Sequence, residues 1–349
     1  MALSGAPCRP RRHLPSSEPR SSPRRNWLFE HAGVALVALL PQLLAERGVV
    51  SSDTKAYLYI DPTRFLSQVT SVWDPTVALG TVTHQYVGYL FPMGPYYALA
   101  SVVHLDLWIA QRIWLAAILY AAGAGVLRLC NVVSLRGPGR VVAALAFAFS
   151  PYILQYSGRI SVILLPFAAL PWLVVFCAEA LRTERPAPGY RRPRLWRWRY
   201  PALFALVVVA SSGINASSFL YVAVAPVLWL VWAVLVERTA RLREAVSVLA
   251  RIVVLSVLVS AWWIAGLLVE AGFGVDVLRY TETVRATSST SSPLEVLRGL
   301  GYWYFYGGGR LGPWTGSVVF YTRWLWLVAL SYFVPFLALC AGVAVRWRH

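Results

Sequence analysis

Long apolar segments with almost no charge leave few folds open to this chain. A helix of about 20 mostly apolar residues suffices to cross the hydrocarbon core of a bilayer. Charged residues make up only 13% of the sequence, against about 25% in soluble domains. The sequence therefore predicts an all-α polytopic membrane protein, with about eight transmembrane helices at 27–45, 108–130, 140–157, 160–181, 201–217, 218–236, 247–270 and 324–346.

One further apolar segment, 86–104, is not counted as a span. Pro92, Gly94 and Pro95 interrupt it early, and proline breaks or kinks a helix because it lacks a backbone N–H and clashes with the preceding turn. We predict a re-entrant or interfacial helix here, so that the loop between the first two spans is helical.

The distribution of arginine predicts the orientation of the spans. The net charge is +17, and most arginines lie in the N-terminal tail and in alternate loops. Because short cytoplasmic loops carry an excess of Lys and Arg, we expect a disordered, basic, cytoplasmic tail at 1–26 and a plasma-membrane domain at 27–349. Two large loops, 46–107 and 271–323, then face outward. Anionic lipid headgroups, rather than nucleic acid, are the expected counterpart of this charge.

The most basic predicted cytoplasmic segment is RTERPAPGYRRPRLWRWRY (182–200). Its prolines predict a loop, and its tryptophans suit the headgroup region of a bilayer. We interpret it chiefly as an anchor that sets the topology. Docking of an acidic cytoplasmic partner is the alternative function of this segment.

The segment VVSSDTKAYLYIDP (49–62) directly follows the first span and raises the first functional question. It holds Asp53 and Lys55, the only lysine of the chain. Asp53 has an ordinary structural explanation, the N-cap of a helix that begins at Lys55. A carboxylate beside an ammonium at the membrane surface also suits a site that handles a hydroxyl and a phosphate together.

The rest of the first outer loop is rich in side chains that bind sugars. Aromatic rings stack on the apolar faces of sugars, whereas carboxylates, amides and imidazoles hydrogen-bond their hydroxyls. We predict that the sugar or the acceptor is bound by Asp61, Trp73, His84, Gln85 and Tyr86.

The second outer loop offers a similar set of side chains. Glu270 lies at the outer end of a predicted span, where an ionisable group is costly and suggests a functional site. Tyr302 and Trp303 lie beside glycines 307–309 in LRGLGYWYFYGGGRLGPW (297–314). An interfacial aromatic belt explains these rings equally well. The alternative is a lid over a carbohydrate acceptor that includes Glu270, Tyr302 and Trp303.

Several of these segments together resemble one known family. The segments are SSDTKAYLYIDPTRFL, WDPTVALGTVTHQYVGYLFPMGPYY, FAFSPYILQYSGRISVILLPFAALPW, WWIAGLLVEAGFG and TSSTSSPLEVLRGLGYWYFYGG. With them the chain resembles the N-terminal transmembrane part of actinobacterial arabinofuranosyltransferases of the AftD type, in the GT-C superfamily. The resemblance covers nearly all of the chain after residue 27. Members of that family are much longer, so we expect a GT-C domain truncated at its C-terminus.

The resemblance implies a reaction and roles for individual residues. Such enzymes transfer a sugar outside the membrane from a polyprenyl-phosphate donor, here of the decaprenyl-phospho-arabinose type, to an arabinan acceptor of the cell wall. Asp53 corresponds to the catalytic carboxylate and would act as general base in an inverting displacement. The expected phosphate-binding residues are Lys55 and Arg64 first, then Arg279 and Arg310. No cofactor is required by this scheme, although Asp53, Asp61 and Asp74 are possible ligands of a divalent metal.

Two other functions remain open from the sequence. A lipid-linked sugar flippase or polysaccharide transporter would need ionisable groups near the bilayer midplane, and the predicted spans carry almost none there. A non-catalytic scaffold for envelope assembly is the other alternative. The sequence contains no G-x-S-x-G, H-E-x-x-H or G-x-x-x-x-G-K-[ST] motif, which leaves the polyprenyl-phosphate glycosyltransferase as the preferred prediction.

Overall fold

The computed structural model describes residues 23–51, 53, 56–82, 85–158, 160–185, 193, 195–274, 281, 283–289, 292–300, 307–310, 312–313, 316 and 318–347. Most of the predicted tail, 1–22, therefore lies outside the described residues. Residues 23–26 belong to the first helix rather than to a disordered tail, and Pro23 is its first residue, a position that proline favours.

The described part of the chain is almost entirely helical. Its helices are α1 Pro23–Leu44, α2 Ala56–Ile60, α3 Pro62–Gln68, α4 Gln85–Gly88, α5 Met93–Val102, α6 Leu107–Val132, α7 Gly139–Ala148, α8 Pro151–Leu154, α9 Ser161–Thr183, α10 Trp196–Ser211, α11 Ala216–Leu235, α12 Leu242–Phe273, α13 Val284–Ser289, α14 Pro293–Leu297, α15 Val318–Arg323 and α16 Leu325–Trp347. Two short antiparallel hairpins interrupt them, β1 Trp73–Asp74 with β2 Thr81–Val82, and β3 Gly308–Gly309 with β4 Gly312–Pro313.

Six helices in the described residues are long and apolar enough to cross a membrane: α1, α6, α9, α11, α12 and α16. Two predicted spans, 140–157 and 201–217, are not among these six helices. The first is divided into α7 and α8, because Phe149 leaves the helical conformation and Pro151 starts a new helix. The second begins earlier, at Trp196, and ends at Ser211, before Asn215 caps α11 through its side chain, 2.9 Å from the amide of Ser218.

The segment that contains α7 and α8 still runs along the full bundle. At its start Arg140 pairs with Glu30 near the beginning of α1, and at its end the carbonyl of Ser157 accepts a hydrogen bond of 2.9 Å from Gln42 near the end of α1. Twelve helical residues separate Glu30 from Gln42, which is a rise of about 18 Å. The chain therefore passes from one end of the bundle to the other here, in helices too short to be recognised by length.

Helix α9 lies at the centre of the bundle and packs against α6, α10 and α11. One buried cluster joins it to α6 and to the first outer loop, around Tyr97, Leu115 and Leu164. A second cluster joins it to α10 and α12, around Cys177 and Val248. The loop between α1 and α6 is therefore packed onto the helices through apolar side chains and is part of the core.

The bundle has two chemically different ends. One end is rich in arginines that pair with glutamates of neighbouring helices, as in Arg251–Glu184 at 2.5 Å and Arg185–Glu244 at 2.8 Å. The other end carries Asp53 and the first outer loop. The predicted interfacial segment 86–104 lies at this second end as α4 and α5, and α5, with 10 residues, is about 15 Å long, half the thickness of the hydrocarbon core.

Candidate active site

Asp53 lies between the end of α1 and the start of α2, and its side chain is almost completely buried, with 7% exposed. Its Oδ1 accepts a hydrogen bond of 2.7 Å from the backbone amide of Ser161. Ser161 is the first residue of α9, where backbone amides have no partner inside the helix. Asp53 therefore contacts the N-terminus of a helix 108 residues away, whereas the predicted helix start at Lys55 lies outside the described residues.

The second carboxylate oxygen of Asp53 has a different environment. Oδ2 is buried and has no hydrogen-bond partner among the described residues. Burial raises the pKa of the phenols of Tyr59, Tyr89 and Tyr97, and the nearby charge of Asp53 raises each pKa further. The Oη of Tyr97 is also buried without a partner in the described part of the chain. One oxygen of Asp53 is thus fixed by the fold, and the other is left available for chemistry.

Burial raises the pKa of Asp53 to about 6 because the charged carboxylate loses its hydration. The hydrogen bonds from Ser161 act in the opposite direction, since they stabilise the anion. Burial is the larger effect. A carboxylate with a pKa near 6 is ionised at neutral pH and is a stronger base than an exposed aspartate, which is what general-base catalysis requires.

The backbone that carries Asp53 is held by a glutamine of α6. The side chain of Gln111 is fully buried, and it accepts from the amide of Ser51 and donates to the carbonyl of Ser51, both at 2.8 Å. The hydroxyl of Ser51 donates to the carbonyl of Gly158, just before α9. Asp53 itself donates its amide to the carbonyl of Ser51 at 2.8 Å. Helices α6 and α9 therefore determine the position of Asp53 from two sides.

The first outer loop is closed against helix α12. Gly88 of α4 approaches the carbonyl of Gly213 so closely that a Cβ atom at Gly88 would clash with it. On the other side Val87 faces Gly266 of α12. Glu270 lies one turn beyond Gly266 and so projects from the same face of α12. This packing brings Glu270 to the outer loop that contains Asp53.

Comparison with known proteins identifies the family of the chain. Residues 36–347 match the family model of the N-terminal GT-C domain of alpha-(1->3)-arabinofuranosyltransferase, the AftD type. The chain belongs to this family. The predicted family resemblance and the predicted helical, multi-pass GT-C fold are thereby confirmed.

Two curated relatives and one solved structure show the extent of the similarity. The alpha-(1->3)-arabinofuranosyltransferase of Mycobacterium tuberculosis is 32% identical over 280 residues, which are 80% of this chain and 19% of the relative. That of Mycolicibacterium smegmatis is 31% identical over 271 residues, 77% of this chain and 18% of the relative. A cryo-EM structure of arabinofuranosyltransferase AftD from mycobacteria has a TM-score of 0.66 and 28% identity, over 80% of this chain and 19% of that chain. The chain thus spans about a fifth of the length of these relatives.

The structure places the other predicted residues of the first loop in local contacts. Asp61 is exposed and caps α3, with its Oδ1 3.0 Å from the amide of Arg64. Asp74 accepts from the amide and hydroxyl of Thr76 at 2.8 and 2.6 Å, and these bonds hold the pKa of its carboxyl below the usual value. Tyr86 also hydrogen-bonds to Asp74. The half-exposed ring of Trp73 remains a candidate surface for sugar stacking.

The remaining predicted site residues of both loops either have exposed side chains or lie outside the described residues. Arg64 and Arg310 have exposed side chains in the described part of the chain, Arg310 at the turn of the second hairpin. The side chain of Gln85 lies outside the described residues, as do Lys55, His84, Arg279, Tyr302 and Trp303. Their predicted roles stay predictions.

Among the described residues there is no group of three acidic, His or Cys side chains that could hold a metal, so Asp53, Asp61 and Asp74 are not gathered into such a site.

Three buried polar residues at this end were not predicted as site residues. Ser161 and Gln111 hold Asp53 in place, and Arg112 is an arginine that is only 9% exposed. A glutamine and an arginine side by side in the apolar sequence of α6 were the available signal. No signal in the sequence pointed to the contact of Ser161 with Asp53, because a serine at the start of a helix is common.

The cavities described at the arginine-rich end do not coincide with this site. One, of about 840 Å³, is lined by Glu30, Asn131 and Arg140, and another, of about 690 Å³, by Arg182 and Trp229. The predicted docking segment 182–200 lies at this end, with 186–192 and 194 outside the described residues. Its described Arg185 pairs with Glu244 inside the molecule, and docking of an acidic partner stays a prediction.

Proposed function

We propose that this protein is a membrane glycosyltransferase that transfers arabinofuranose from a polyprenyl-phosphate donor to cell-wall arabinan, with Asp53 as general base. The single observation that supports this most strongly is the buried carboxylate of Asp53. It follows the first apolar helix directly, it has one oxygen held by Ser161 and one without a partner, and its pKa is about 6. The sugar comes from the names of the relatives, and the arabinan acceptor is what the family resemblance implies.

The proposed reaction is a single displacement at the anomeric carbon. The acceptor hydroxyl forms the new bond to C1 as the bond between C1 and the phosphate oxygen breaks, and polyprenyl phosphate leaves. The proton of the hydroxyl passes to Oδ2 of Asp53. The anomeric configuration inverts, because the acceptor attacks from the face opposite to the leaving phosphate. Substrate must reach Oδ2, and catalytic contacts are often incomplete before substrate binds.

The side of the membrane is part of the proposal. The arginine-rich end carries ion pairs such as Arg251–Glu184 and, by the positive-inside rule, is the cytoplasmic end. Asp53 then lies on the outer surface of the plasma membrane, where a lipid-linked sugar of the decaprenyl-phospho-arabinose type and an arabinan acceptor meet. We infer that Glu270, which shares a face of α12 with Gly266, contacts the acceptor or the sugar.

A purely structural role for Asp53 is the main competing explanation. Its Oδ1 satisfies an amide at the N-terminus of α9, and a carboxylate is favourable at that position. Asp53→Asn separates the two roles, because the amide oxygen of asparagine still accepts from Ser161 while the base is lost. We expect transfer to fall by about 10²- to 10⁴-fold with unchanged membrane abundance.

The test is transfer of radiolabel from decaprenyl-phospho-arabinose to a short arabinan acceptor. Purified protein of complete natural length is compared with its Asp53→Asn variant, and the segment 1–349 is measured alongside. Asp106→Asn serves as the matched control, since Asp106 is exposed directly before α6 and has no proposed role. Equal rates for wild type and Asp53→Asn would remove Asp53 from the mechanism. Absence of transfer by the folded wild-type protein would refute the proposed donor and acceptor.

A further inference from the structure

Arg112 is a buried cation with few partners. It lies in the second turn of α6, with 9% of the residue exposed. Its Nη2 donates to the carbonyl of Val49 at 3.3 Å, and its Nε is buried without a partner. Among the described residues no carboxylate pairs with it. A buried charge without a counter-ion is costly, so the arrangement is expected to be completed by an anion.

The depth of Arg112 along its helix indicates what kind of anion this is. Helix α6 has 26 residues and is therefore about 39 Å long, about 9 Å longer than the hydrocarbon core is thick. Arg112 lies five residues from the first residue of α6, a rise of about 7.5 Å. If α6 is centred in the bilayer, the guanidinium-bearing residue is within about 3 Å of the hydrocarbon boundary. The backbone of Arg112 is then just inside the hydrocarbon, and a side chain of this length can reach the headgroup level, where lipid phosphates lie.

Arg112 also belongs to the same junction as Asp53. Its bond to Val49 and the bonds of Gln111 to Ser51 fasten consecutive parts of one segment, 49–53, to α6. Asp53 closes this segment through its amide bond to Ser51. An anion bound at Arg112 would therefore lie beside the backbone that positions the proposed base.

We propose that Arg112 binds the phosphate group of a long-chain isoprenoid lipid at the outer edge of the bilayer. The planar guanidinium matches the geometry of a phosphate and forms two parallel hydrogen bonds with it. The proposal rests on the proposed function, since it assigns the donor phosphate of that reaction. It makes Arg112 the first residue to test for this role, ahead of Arg64 and Arg310, whose exposed side chains carry no desolvated charge.

The experiment measures binding without any transfer of sugar. Purified protein of complete natural length, in detergent, is titrated with decaprenyl phosphate, with decaprenol and with inorganic phosphate, and the dissociation constants are compared. The variants are Arg112→Gln, Arg112→Lys and, as the matched control, Arg47→Gln, which changes an exposed arginine just after α1. Thermal unfolding without ligand shows whether each variant is folded.

We expect wild type and Arg47→Gln to bind decaprenyl phosphate at least tenfold more tightly than decaprenol, and to bind inorganic phosphate only weakly. Arg112→Gln is expected to abolish the preference for the phosphorylated lipid. Should Arg112→Gln fail to fold because it loses the bond to Val49, Arg112→Lys decides the question. It keeps the charge but lacks the planar fork of the guanidinium, and we expect at least a threefold loss of affinity from the lost bidentate contact.

Two outcomes would overturn the proposal. One is an unchanged preference for decaprenyl phosphate in the folded Arg112 variants. The other is equally tight binding of inorganic phosphate and lipid phosphate, which would indicate a general anion site. The outcome is separable from the proposed function. Loss of the preference in a protein that transfers no arabinofuranose would support the lipid-phosphate site and refute only the reaction.

Discussion

The raised pKa of Asp53 predicts an unusual dependence of stability on pH, which Asp53→Asn would remove. In the folded protein the pKa is about 6, whereas the ordinary value for an aspartate is 3.8. Below pH 4 the carboxyl is protonated in both the folded and the unfolded states. Between pH 4 and pH 6 the folded state keeps its proton while the unfolded state loses it. The free energy of unfolding therefore falls as pH rises through this window.

The magnitude follows from the difference of about two pKa units. Each unit corresponds to about 1.4 kcal/mol, so the ionised, buried carboxylate costs about 3 kcal/mol above pH 6. Asparagine keeps the hydrogen bond to Ser161 and carries no charge. The buried amide group of the asparagine takes the position of Oδ2, where it has no hydrogen-bond partner among the described residues, and this lowers stability by about 1–3 kcal/mol. This loss of stability does not change with pH. The pH dependence of the difference between the two proteins is therefore the diagnostic quantity.

The assay is thermal unfolding in detergent, followed by tryptophan fluorescence, from pH 4 to pH 8. With an unfolding entropy of about 2.1 cal/mol/K per residue, 3 kcal/mol corresponds to a Tm shift of about 4 °C for a chain of this length. We expect the Tm of wild type, relative to that of Asp53→Asn, to fall by about 4 °C across this range.

Asp74→Asn is the matched control for this measurement. The hydrogen bonds from Thr76 lower the pKa of Asp74, so its contribution to stability is lost only as pH falls below its ordinary range. The Tm difference between wild type and Asp74→Asn should therefore stay constant between pH 5 and pH 8. A Tm difference between wild type and Asp53→Asn that is constant with pH would refute the reasoning, because the carboxyl would then not be buried as a charge in the folded state.

Three further predictions concern activity and packing. The transfer rate of wild type should decline as pH falls below about 6, since protonated Asp53 is no longer a base, and a pH–rate profile of Asp53→Asn should lack this decline. Gln111→Ala should lower the free energy of unfolding, measured by chemical denaturation, by about 2–4 kcal/mol, because it leaves buried backbone groups without partners. In the same measurement Gln68→Ala, at an exposed position, should change the free energy of unfolding by less than about 0.5 kcal/mol. Gly88→Ala should destabilise the protein by about 1–3 kcal/mol through overpacking. Gly33→Ala, in a helix with open space around this position, should be neutral or stabilising when both variants are compared by thermal unfolding. Equal effects of the two substitutions would contradict the close packing of α4.

The site could be predicted only in part from the sequence. Asp53 was predicted because a carboxylate a few residues after an apolar span lies near the membrane surface in any fold. Its partners were not, because Ser161 and Gln111 are 108 and 58 positions away along the chain and only helix packing brings them together. Asp61 and Asp74 illustrate the opposite case, since both are used in local turns that their own neighbours specify.

The apolar composition and the spacing of its interruptions determined that this chain forms a helical membrane protein, because a backbone in hydrocarbon must satisfy its hydrogen bonds within helices. They also determined the bounds of the long spans and the helical first outer loop. Only the tertiary structure decided which polar groups were buried together. The junction of α1, α6 and α9 places Asp53 against the N-terminus of α9 and leaves Arg112 without a carboxylate partner among the described residues. Both depend on which helices are neighbours, and hydropathy carries no information on that choice.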